Sequence, residues 1–326
     1  MRSERTRCWK YASRAFAMRF HSRLGKAQIL LIVPCIVLAL MWADTVTASP
    51  NSEADAPAED PVGLRVVLDE GEIIIALDHA AAPDTIRTIL DLIDSSARPD
   101  EGTGGYYDGL TLDHTWPHIE IGTGVRKDQT VVIPQEIDAG SLGLDTEKIT
   151  KSGTAMNLWQ FEFAEANERW KAEGSRPKQF EEWFQIFSET NSVDFLMEVS
   201  RQEINEVLGY RYVSGRQSLP ARRGFVYLKP ISTTENSPAL RILLTDRPQL
   251  DGRVTVIGRV VEGLELAQEL SVTELKTFRS RPIYEPVDPV VIRRTEPIEV
   301  IEQSATSSPR DGAYQKAVKT RDSHLN

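Results

Sequence analysis

The chain has 326 residues, enough for one large domain or two modest ones, with 40% apolar and 26% charged residues and a formal net charge of −10. That charge is uneven: residues 1–26 carry eight Lys/Arg against Glu4 alone, whereas from Ser49 onward 30 basic residues face 46 acidic ones. An acidic body speaks against nucleic acid as a partner, because phosphate binding needs clustered positive charge. Both cysteines, Cys8 and Cys35, precede that body, which excludes cysteine proteases, CxxC redox centres and cysteine-ligated zinc from it.

The basic start is followed by Ala27 to Ala43, seventeen residues without a charge, and then by the small-residue pattern Val46-Thr47-Ala48. This is the layout of a secretory signal. It is also the short end of the ~17–25 residues that span a bilayer, with Pro34 in the middle. Residues 1–48 are therefore expected to be a signal peptide or an N-terminal membrane anchor, the only membrane contact. The remainder is expected to be exported, periplasmic or otherwise extracytoplasmic. Residues 49–62, SPNSEADAPAEDPV, are acidic, Pro/Ala-rich and aperiodic, which predicts a flexible linker.

Order is expected from about residue 63. Two β-branched runs in 64–77 joined at Asp69-Glu70-Gly71 predict a hairpin. Pro83 opens a helix, where its missing N–H costs nothing, and Ile86, Ile89, Leu90 and Ile93 form its buried stripe. A Gly-rich loop, 95–109, ends in Tyr106-Tyr107-Asp108-Gly109, and short apolar runs resume at Leu110–Ile121 and Val131–Ile133. From about 145 to 219 the pattern turns helical and aromatic. Trp159, Phe163, Ala166 and Trp170 line a first helix; Phe180, Trp183, Phe184 and Phe187 a second; Val193, Met197, Ile204 and Leu208 a third. Strand signals return at Gly224–Leu228, Leu240–Leu244 and Val254–Val261, the last preceded by a Leu-Asp-Gly turn at 250–252. A short helix, Leu264 to Leu270, and a strand, Val290–Arg293, complete the ordered part near 302, and a polar tail, 303–326, is expected to be disordered. Many short strands between turn signals suggest a closed antiparallel barrel.

The ordered series GEIIIALD (71–78), APDTI (82–86), YYDGLTLDHTWPHIEIGTG (106–124), IPQE (133–136), GFVYL (224–228), LDGRVTVIGRVVEGLEL (250–266) and PVVI (289–292) resembles the cyclophilin-type peptidyl-prolyl cis-trans isomerases. The resemblance implies a mainly β, eight-stranded closed antiparallel barrel capped by two helices, here over 63–302 with an α-helical insertion at about 145–219. It implies an isomerase that uses no cofactor and takes proline-containing segments as partners, those of exported proteins given the leader. The barrier to X–Pro rotation, ~18–20 kcal/mol, comes from amide resonance. The family lowers it by seating the proline ring in an apolar pocket while an arginine guanidinium donates to the imide nitrogen.

This sequence departs from the family pattern where the chemistry lies. The catalytic arginine position is His114. Peptide-groove positions hold Ile119 for phenylalanine, Glu120 for methionine and Gly122 for glutamine. Lys229 and Pro230 replace an alanine-asparagine pair, Ala239 a glutamine and Arg241 the second pocket phenylalanine. Gln249 replaces tryptophan and Val254 histidine, and Leu250 alone is unchanged. Histidine offers no five-donor fork, and removal of one transition-state donor typically costs about 10²–10³ in rate. Weak or absent isomerase activity is the expectation, with His114 a degenerate catalytic position.

Other chemistries fit less well. Asp113, His114, His118 and Glu120 invite a metal reading, since 114, 118 and 120 would share one face of an extended strand. Pro117 interrupts that strand and no further ligand is identifiable, so no metal is expected. A nucleophile elbow is missing, and GTGG at 102–105 is better read as loop than as phosphate cradle. The aromatic stretch 145–219 is either a helical subdomain packed on the barrel or a platform for a partner, in which case the barrel is a non-catalytic scaffold.

Overall fold

A computed structural model describes residues 62–94, 105–279 and 281–299. The leader with Cys8 and Cys35, the linker up to residue 61, residues 95–104 of the Gly-rich loop 95–109, and residues 300–326 with the tail 303–326 lie outside the described residues. Among the described residues no helix is long and apolar enough to cross a membrane.

The expected first hairpin is formed by β1 (Val62–Leu68) and β2 (Glu72–Leu77), closed by Leu68 N donating to Gly71 O at 2.8 Å. Helix α1 (Pro83–Ile93) starts at its proline and buries Ile86, Ile89 and Ile93. The run after the YDG turn is not one extended piece. It folds into β3 (His114–Trp116) and β4 (Glu120–Gly122) around a tight turn, with Ile119 N donating to Trp116 O at 2.9 Å. Pro117 fits the first corner of such a turn and His118 takes a positive φ of 59° at the second. His118 therefore sits in the turn and not on the strand face that the metal reading required.

A short β5 (Ile133–Pro134) precedes the helical insertion. Its first helix runs through α2 (Ser152–Asn157), a π-helical stretch (Leu158–Phe163) and α3 (Ala164–Glu173), and α4 (Lys178–Thr190) follows. The expected third helix is two, α5 (Phe195–Glu198) and α6 (Arg201–Leu208). Ser200 breaks it, because its hydroxyl accepts from Glu203 N at 3.1 Å and starts a new helix as an N-cap. These helices bury Trp159, Phe163, Trp170, Phe180, Trp183, Leu196 and Ile204 in an apolar core of their own.

The chain then returns to the sheet with β6 (Phe225–Pro230), β7 (Glu235–Leu243) and β8 (Val256–Glu262), followed by α7 (Leu264–Leu270). A hairpin not expected from sequence, β9 (Leu275–Phe278) and β10 (Arg281–Pro286), precedes β11 (Ile292–Glu299). Only exposed or half-buried side chains lie on β9 and on β10 up to Glu285, so no alternation announced it.

The main sheet is antiparallel throughout, in the order β11-β1-β2-β8-β6-β7-β4-β3, with β5 joined to β7. Its eight-strand path curls into a half-barrel. The edges meet at one isolated bridge, Thr111 to Val291, flanked by Gly109 N to Ile292 O and Leu112 N to Val290 O, both 2.8 Å. The expected ring is thus brought together by a few bonds and not by a full ladder. Its interior is filled by Leu64, Ile73, Ile75, Ile121, Val226, Leu240, Ile242 and Ile257, joined by Ile86 and Ile89 of α1 and Ala267 of α7. Strands β3 and β4 from segment 110–124 and β8 from segment 250–262 belong to this one sheet, as the family resemblance requires.

Candidate functional site

Strand alternation puts every second residue of β3, β4, β7 and β6 on the outer face. There, direct cross-strand partners form one row: His114 faces Gly122, Gly122 faces Arg241, and Arg241 faces Tyr227. Glu120, the partner of Trp116 in the hairpin, reaches into this row. Its Oε1 lies 2.8 Å from His114 Nε2, and its Oε2 accepts from Tyr227 Oη at 2.9 Å. The tight β3–β4 turn creates this contact, since it folds position 120 back beside 114.

Glu120 and Arg241 are both buried, 8% and 4% exposed. Burial by itself pushes the Glu120 carboxyl up. Hydrogen bonds from His114 and Tyr227 and the charges of His114 and Arg241 outweigh it, so Glu120 is held below its ordinary value and stays ionised at neutral pH. Burial, and then the Glu120 charge, drive the Tyr227 phenol far above its usual range. Desolvation lowers the Arg241 guanidinium, opposed by Tyr227, Glu120 and Asp113.

Arg241 lies flat over Gly122. A Cβ at position 122 would come within 2.3 Å of Arg241 Nη1 and 2.4 Å of the Leu240 carbonyl. The guanidinium thus fills the space that a side chain at 122 would take, and it donates to Thr123 O at 3.4 Å. Arg247 extends the charge cluster, 3.9 Å from Glu120 Oε2, with its guanidinium 4.9 Å above the Trp116 ring. Tyr284 of the β9–β10 hairpin packs on Trp116, ring centroids 5.2 Å apart, and comes to 6.3 Å from His114.

The remaining sequence-derived positions divide. Ile119 is half-buried in the turn, where its carbonyl accepts from Leu244 N. Leu250 and Val254 join Tyr227, Leu243 and Val256 in a small buried apolar cluster behind the outer face, Leu250 half-buried at its edge, and Ala239 is buried on β7. Lys229 and Pro230 are exposed at the end of β6, and Gln249 is exposed beside Arg247 and the insertion. Among the described residues no three His, Cys, Asp or Glu side chains converge as a metal site would need. Tyr227, Arg247, Trp116 and Tyr284 were not singled out from sequence. Tyr227 could have been found, because alternation in GFVYL puts it on the face opposite Val226 and Leu228.

Chemically, the state of His114 decides what the row can do. An ionised carboxylate only accepts, so Nε2 carries the proton toward Glu120 and is committed to that contact.

The family model described as "Cyclophilin type peptidyl-prolyl cis-trans isomerase/CLD" matches residues 64–296. Among solved structures, a cyclophilin-type isomerase of Cryptosporidium parvum is 15% identical, with 72% of this chain and 94% of that one covered and a TM-score of 0.36. The same description with the dipeptide Ala-Pro present gives 15%, 72%, 96% and 0.35. The cyclophilin AquaCyp293 of Hirschia baltica is 14% identical, with 76% of each chain covered and a TM-score of 0.37. No curated protein matches.

Proposed function

Given that this chain belongs to the cyclophilin-type peptidyl-prolyl cis-trans isomerase family, we propose that it binds X–Pro segments of exported proteins with isomerisation weak or lost. One observation carries this reading: His114 Nε2 is engaged by Glu120 at 2.8 Å, so a short ring already committed to a neighbour stands where the family has a guanidinium. The proline pocket is changed in the same sense, since Glu120 and Arg241 put charge where the family puts apolar walls. The apolar group nearest the row is the cluster of Tyr227, Val254 and Leu250, of which Tyr227 and Val254 are buried and Leu250 alone is half-buried. The basic, then uncharged leader supports delivery to an extracytoplasmic compartment.

Titrating the full chain with a labelled X–Pro peptide and its X–Ala counterpart tests the binding half. The proline peptide binds tighter, and Leu250→Asp abolishes the difference. Equal affinity for both peptides in the native chain would contradict the reading.

A second reading, a non-catalytic interaction module, is favoured by one feature of the insertion. Phe161 and Phe184 are 69% and 49% exposed while the neighbouring rings of Trp159, Phe163 and Phe180 are buried. Phe184 still packs on Trp159 and Phe180, so its outer edge and Phe161 extend the insertion's aromatic core to the surface.

A further inference from the structure

Beside Phe161 the insertion meets the barrel in an open cavity of about 650 Å³, within the ~300–1,000 Å³ common for ligand sites. Leu158, Phe161 and Ile204 form an apolar wall, and Pro248, Gln249 and Arg253 close it from the barrel side. The insertion is held there by Arg253, which donates to Glu162 at 2.6 Å and to Asn205 at 3.0 Å, and by Tyr212, which donates to Gly252 O at 3.0 Å. The cavity is therefore framed on both sides by bonded elements.

Charge around it is unlike that of the whole chain. Six ionisable side chains line it: Glu147, Lys148, Lys151, Glu162, Arg201 and Arg253. Arg201 pairs with Glu147 at 2.9 Å and Arg253 with Glu162. Lys148 and Lys151 are exposed, and among the described residues no carboxylate pairs with either, so two positive charges stand unneutralised at the mouth of an apolar pocket in an acidic protein. The wall comes partly from the π-helical stretch Leu158–Phe163, which supplies Leu158, Phe161 and Glu162. Single π turns inside α-helices are uncommon and frequent at functional sites.

We propose that this cavity binds an extended acidic segment of a partner protein, one apolar or aromatic side chain inserting against Phe161 and Leu158 and flanking Asp or Glu meeting Lys148 and Lys151. The inference rests on the second reading above and gives it a place and a ligand chemistry. A nucleic acid is disfavoured because two lysines are few and the rest of the surface repels a polyanion. Lys148, Lys151 and Phe161 are not part of the outer-face row, although the cavity shares Gln249 with the peptide-groove positions.

The test is fluorescence anisotropy of the full chain with a labelled peptide carrying one Phe between Glu and Asp residues, compared with Lys-for-acid and Ala-for-Phe versions. Expected is binding by the acidic aromatic peptide alone, weakened about tenfold or more in Lys148→Glu/Lys151→Glu and by added salt, and unchanged in Lys178→Glu. Unchanged melting temperatures verify that the exposed lysine variants fold. Equal binding of acidic and basic peptides, or no effect of the double variant, overturns the proposal. Binding lost in Phe184→Ala but kept in the lysine variant also overturns it, yet leaves the insertion as a partner surface. Sedimentation showing that the site is filled by a second copy of the chain would overturn the stated occupant.

Discussion

The two faces of β4, β7 and β6 are made of opposite materials. Inward, Ile121, Leu240, Ile242, Val226 and Leu228 form an unbroken apolar layer under α1 and α7. Outward, on the alternate residues of the same strands, stand Glu120, Gly122, Arg241 and Tyr227, tied by hydrogen bonds and charge. Because side chains alternate with a period of two, one face can hold the fold while the other changes its chemistry. Architecture and outer-face chemistry are thus encoded on different residues of the same strands.

The inner face gives the largest expected effect. Ile121→Ala removes a fully buried side chain and costs about 2–5 kcal/mol in denaturant unfolding. A loss well under that range would show that the inward layer is not what fixes the sheet.

Glu120→Gln should cost less, about 1.5–3 kcal/mol, the usual worth of hydrogen bonds to a charged group. It also has a signature in pH. The Glu120 carboxyl is held below 4.5 in the folded chain, so as pH falls the unfolded chain takes up that proton first. The contribution is full above about 4.5 and vanishes as pH drops through the lower folded value. Urea unfolding from pH 7 to pH 3 should show a shallower acid-side decline in Glu120→Gln than in the native chain. Parallel curves would mean that the carboxylate is not held by His114 and Tyr227.

Gly122→Ala ranks last, at about 1–3 kcal/mol for overpacking against Arg241 and the Leu240 carbonyl. Adding Arg241→Ala should recover only part of that loss, because the carbonyl remains in the way. Full recovery would place the whole conflict in the guanidinium.

Much of the framework was legible in the sequence. The first hairpin, α1, α7 and the LDG turn follow from β-branched runs, the proline at a helix start and glycine where φ is positive, as at Gly252, 78°. The boundaries failed where local chemistry overrode periodicity. Pro117 and His118 folded an expected run into a hairpin, and Ser200 split an expected helix by capping it. The site was legible only in part. Position-by-position comparison located His114, Gly122 and Arg241, but the pairing of His114 with Glu120 depends on the turn geometry. Tyr284 reaches the row from a hairpin of exposed residues whose sequence carries no strand pattern.

The account turns on whether the outer row still rotates an X–Pro bond, and exchange spectroscopy on a proline peptide with the full chain measures this most directly. The account predicts a cis–trans rate close to that of the peptide alone and the same in His114→Ala. A native rate far above the uncatalysed one, falling about 10²-fold or more in His114→Ala, would contradict it.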